Sequence, residues 1–128
     1  MTRDDTIRLL AIMKAAYPSA FRGMSRETAE AMLALWADEL APYPPDLVTK
    51  AARELIRTGK FLPNISEMLY RVWAVAVDAR ARMICDAALG RSVSIAELER
   101  ISAVAERLRP GASGAKALPA SDTKRLGS

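Results

Sequence analysis

Large apolar side chains recur along the chain every three or four positions, and no stretch alternates in the manner of a strand, so the pattern predicts helices throughout. The first helix is expected over about Arg3 to Ala16, with Thr2 and Asp5 in a capping-box spacing. Its apolar positions fall along two lines, one through Ile7, Leu10 and Ala11 and one through Leu9, Ile12 and Met13, which predicts a well-buried helix. Pro18 stops it, because the residue before a proline avoids the helical region. Ser19 to Met24 then read as a loop. Ser25 caps a second helix, Arg26 to Leu40, carrying Met32, Leu33, Trp36 and Leu40 at helical spacing.

Pro42, Pro44 and Pro45 end that helix and begin a third, since Pro45 fits the first helical position. Val48, Ala51, Ala52, Leu55 and Ile56 face inward, and Gly59 is the expected C-terminal glycine. Asn64 and Glu67 repeat the capping-box spacing and open a long fourth helix reaching Leu89. It has two apolar faces: Ile65, Leu69, Val72 and Ala76 on one, and Tyr70, Trp73, Val77 and Ile84 on the other. Such a helix needs covering on two sides. Ser94 and Glu97 open a fifth helix that ends before Pro110, and this helix either folds back on the fourth or covers it in a second copy. Trp36 and Trp73, set among leucines and valines, are expected in the core.

The fold expected is therefore all-α: a compact bundle of four to five helices over residues 1–109, with a flexible tail over 110–128. The tail holds two prolines, several glycines and almost no large apolar group.

Composition narrows the chemistry. The 128 residues include no histidine, which removes imidazole catalysis and every histidine-ligated metal site. The acidic pairs sit at helix starts or on polar faces, where they serve dipoles and solubility. Gly111 to Lys116 lacks the spacing of a phosphate-binding loop. An enzyme is not expected, and neither is a cofactor. One cysteine, Cys85, and an N-terminus without a secretory pattern suit a reducing cytoplasm, and no apolar run is long enough to span a membrane.

The net charge of +4 arises in the middle of the chain and in the tail. Lys50, Arg53, Arg57 and Lys60 form the best cationic stripe, on the exposed side and end of the third helix, as a partner-binding or DNA-binding surface. Against DNA as the main ligand, no basic recognition helix of a helix-turn-helix pair is evident. At most weak direct nucleic-acid binding is expected, and a small helical DNA-binding or regulatory protein is the alternative reading.

Several short segments occur in a telling order: Ala15-Ala16-Tyr17-Pro18, then Leu35-Trp36 and Leu40, then a proline-started helix with Leu47, Val48 and Ala51, then Phe61-Leu62-Pro63-Asn64-Ile65-Ser66-Glu67-Met68. The set resembles the phage loader-and-inhibitor family that acts on replicative DNA helicases, which usually reads Phe-Pro-Pro-Thr-Ile-Ser-Glu-Ile at the last motif. The family-like core is residues 2–70, and residues 71–109 add the extended fourth helix and the fifth.

The resemblance implies a non-catalytic adaptor in the cytoplasm of a bacterial host. Such a protein binds a hexameric replicative helicase, holds it inactive and delivers it to an origin-bound initiator or a single-strand-binding protein. It also implies a helicase contact in the C-terminal part. That points to Lys116, Leu118, Lys124, Arg125 and Leu126 of the tail, with two leucines for an apolar groove and three cations for an acidic rim. Self-association through the fourth and fifth helices is the alternative to packing of the fifth on the fourth within one chain.

Overall fold

A computed structural model describes residues 1–110. Its described residues form six helices and no strand: α1 (Arg3–Ala16), α2 (Pro18–Phe21), α3 (Arg26–Leu40), α4 (Pro45–Thr58), α5 (Ile65–Ala88) and α6 (Ile95–Leu108). The all-α expectation holds. The contacts divide the chain into a first unit, Met1–Val75, and a second that begins at Ala76.

In the first unit, α1 packs on both α3 and α4. The core between them takes Leu9 and Met13 from α1, Trp36 and Leu40 from α3, and Val48, Ala51 and Ala52 from α4. Met68 and Val72 from the start of α5 are also fully buried. The small Ala51 and Ala52 allow close approach of neighbouring backbone at the middle of α4. Burial of α1 is one-sided: Leu9 and Met13 are inside, but Ile7 is 46% exposed. The two apolar lines read from the sequence are thus one core line and one surface line.

The helix starts follow the expected chemistry. Thr2 Oγ1 accepts from the Asp5 N–H, and Asp5 accepts in return from the Thr2 N–H. Ser25 Oγ accepts from Thr28 N–H and Ser94 Oγ from Glu97 N–H. Pro45 occupies the first turn of α4, where a missing N–H breaks no bond.

One local expectation is corrected. The segment after Pro18 is not all loop, because Pro18 starts the one-turn helix α2. The proline that breaks α1 is preorganised for a new helical turn, so breaker and initiator are the same residue. Gly59 ends α4 as expected, with φ −118° and ψ 150°, an extended conformation. The glycine serves proximity, since a Cβ there would lie 3.1 Å from the Leu55 carbonyl oxygen. Gly90, after α5, does take a positive φ of 80°.

In the second unit, Ile101, Val104 and Ala105 of α6 are buried, and Arg80 of α5 bonds Glu106 of α6 at 3.2 Å. Asp78 pairs with Arg82 along α5. Ile84, Leu89 and Ile95 stay more than half exposed. The two apolar faces expected of this helix are therefore unequal. On the first, Val72 and Ala76 are buried but Ile65 and Leu69 only half-buried, the buried line being completed by Met68 and Val75, while the other runs from exposed Tyr70 to exposed Ile84.

Candidate functional site

On α4, Lys50, Arg53 and Arg57 follow one another at three and four residues, which keeps them within a narrow arc of the helix surface. All three are exposed. With Pro45, Asp46 and Thr49 they line an open concavity of about 520 Å³. The core-facing residues of α4 force this placement: once Val48, Ala51 and Ala52 turn inward, positions 50, 53 and 57 must face out.

Lys60 does not join them. The helix ends at Thr58, and the extended Gly59 carries Lys60 away from the helical row. It lines a different groove, also of about 520 Å³, with Phe61, Leu62 and Pro63. The four-cation stripe read from helical spacing is thus a three-cation stripe and one separate cation.

This second groove is built by the Phe61–Met68 motif. Asn64 Oδ1 accepts from the Glu67 N–H at 2.8 Å, and Glu67 Oε1 accepts from the Asn64 N–H at 2.9 Å. The reciprocal cap fixes the start of α5. On the other flank, the Leu55 carbonyl accepts from Gly59 N–H at 2.8 Å and from the Tyr17 hydroxyl at 3.3 Å. The Tyr17-Pro18 corner and the Phe61–Met68 motif are therefore parts of one junction, a link that no local sequence pattern carries. Between the two anchored flanks Phe61 is 84% exposed.

Across the groove, Tyr70 is 57% exposed, with its ring centroid 5.4 Å from that of Trp73. Trp73 is half-buried, whereas Trp36, at 3% exposure, lies in the core. Arg71 reaches Glu54 at 3.7 Å rather than Glu67, whose carboxylate is engaged in the cap. The Arg71 Nε is buried and has no hydrogen-bond partner among the described residues.

A third, smaller concavity of about 250 Å³ lies among α1, α2 and α3, where Ile7, Leu10, Phe21, Met24, Met32 and Leu33 surround it. Cys85 is exposed on α5. Among the described residues no three metal-ligating side chains come together, and no helix is long and apolar enough to cross a membrane. Lys116, Leu118, Lys124, Arg125 and Leu126 lie outside the described residues.

Residues 1–69 match the family model for the N-terminal domain of the helicase loader and inhibitor of phage SPP1. No curated protein and no solved structure matches the chain. The matched segment contains the junction of Tyr17 with Leu55, the whole of α4 and the Phe61–Met68 motif.

Proposed function

The chain belongs to this phage helicase-loader family, and from that premise we propose that it is a non-catalytic adaptor that binds a hexameric replicative DNA helicase, holds it inactive and delivers it to the replication origin. The observation that carries the reading is the match over residues 1–69. The absence of catalysis rests on the sequence, which has no histidine and no phosphate-binding loop. Delivery requires a second contact, with an origin-bound initiator or a single-strand-binding protein. The work is done in the bacterial cytoplasm.

For the helicase contact we favour Lys116, Leu118, Lys124, Arg125 and Leu126. Two leucines and three cations supply anchors in a segment otherwise poor in apolar side chains. Lys50, Arg53 and Arg57 are the competing contact, supported by their shared exposed arc on α4. Self-association through α5 and α6 is supported by exposed Ile84, Leu89 and Ile95, and light scattering across a concentration series tests it.

The test is to mix the chain with the purified host helicase. A complex on size-exclusion chromatography, with unwinding suppressed, is expected. A helicase that elutes and unwinds unchanged overturns the proposal. The same cationic arc favours a second reading, a small DNA-binding or regulatory protein. That reading predicts tight duplex binding at physiological salt. Three clustered cations instead predict weak binding that fades as salt rises.

A further inference from the structure

The groove beside Phe61 has a chemistry of its own. Its lining is apolar at Leu55, Leu62 and Pro63 and carries the exposed rings of Phe61 and Tyr70. Large aromatic side chains standing in water are the groups most often buried when proteins associate. The charges decide which partner fits. Lys60 and Arg71 line the groove together with Glu67, and Arg71 is shared with Glu54. Two cations set against two carboxylates give no positive track, so a nucleic-acid backbone with its repeated phosphates has nothing to follow. Cationic potential remains at one point: Lys60 is exposed and pairs with no carboxylate among the described residues, whereas Arg71 is engaged by Glu54.

We propose that this groove binds a short peptide segment of a protein partner, in which a large apolar side chain sits between Phe61 and Tyr70 and a neighbouring carboxylate faces Lys60. The site is separate in sequence from residues 111–128 and shares no lining residue with the α4 arc, so the chain offers its partners more than one surface. Its backbone needs little rearrangement to receive a ligand, because the Asn64–Glu67 cap fixes one flank and the bonds to the Leu55 carbonyl fix the other.

The test uses a displayed library of random octapeptides selected against the full chain. Enriched peptides are expected to carry one large apolar residue with Asp or Glu within two positions. They should bind Phe61→Ser and Lys60→Glu at least tenfold more weakly than wild type. Both residues are exposed, so both variants should melt with the wild-type protein, and a melting curve checks this. In an amide spectrum titrated with a selected peptide, shifts should cluster between Leu55 and Arg71. Peptides that bind both variants as well as wild type overturn the proposal, as does a cationic consensus. Failure to enrich any peptide, with a thymidine oligonucleotide binding instead through Phe61, overturns it in favour of base stacking.

Discussion

Trp36 and Asp5 show how far one residue carries. Trp36 is buried at 3% exposure on α3, in the unit where α3 packs on α1. Trp36→Ala removes a large ring and leaves a cavity that its neighbours close only in part. It should destabilise by about 3–5 kcal/mol, a large share of a marginal domain's stability. Chemical denaturation reads this as a fall in midpoint, and an unchanged midpoint would contradict the core placement. Asp5 makes a pH prediction. The Thr2 backbone N–H first, then the Thr2 hydroxyl and the nearby Arg8, hold its carboxyl below the usual carboxylate range. A lowered folded-state value means that this contribution is present at neutral pH and is lost as pH falls through the lowered value. The melting difference between wild type and Asp5→Asn should be constant from neutral pH to about pH 5 and shrink below about pH 4. A difference that grows on acidification would reverse the sign.

At the scale of elements, the helix starts were legible and the corners were not. Thr2, Ser25, Asn64 and Ser94 each cap as their spacing implies, because a cap is a local bond between residues three apart. Asn64→Ala should destabilise the first unit by about 1 kcal/mol, read as a lower melting temperature, with little loss in the second unit. Amide exchange along α5 checks where the loss falls. Corners depend on what arrives from elsewhere. Pro18 reads as a stop, yet it starts α2. Lys60 reads as the end of a row, yet the extended Gly59 places it beside Phe61. Gly59 itself responds to the Leu55 carbonyl 3.1 Å from its missing Cβ, and that carbonyl is also held by Tyr17 from 38 residues away. Periodicity likewise marked two apolar faces on α5 without showing that the buried line would run through Met68, Val72, Val75 and Ala76.

For the whole molecule, the helical class and the phage-loader character were both legible, the first from periodicity and the second from ordered short motifs that the family match over residues 1–69 bears out. The groove was not legible, because its residues come from α4, the following corner and α5. Deleting residues 110–128 should leave the melting temperature nearly unchanged, since that segment has few apolar side chains to bury, and should weaken helicase binding strongly. If the shortened chain binds as tightly as the full one, Lys50, Arg53 and Arg57 become the contact to substitute next. Exposed Cys85 is the sole thiol of the sequence. A maleimide dye therefore attaches once per molecule, on α5 and away from both the α4 arc and the Phe61 groove in sequence. Each bleaching step of a single immobilised helicase complex then counts one bound loader, and the distribution of steps reads out how many helicase subunits carry one.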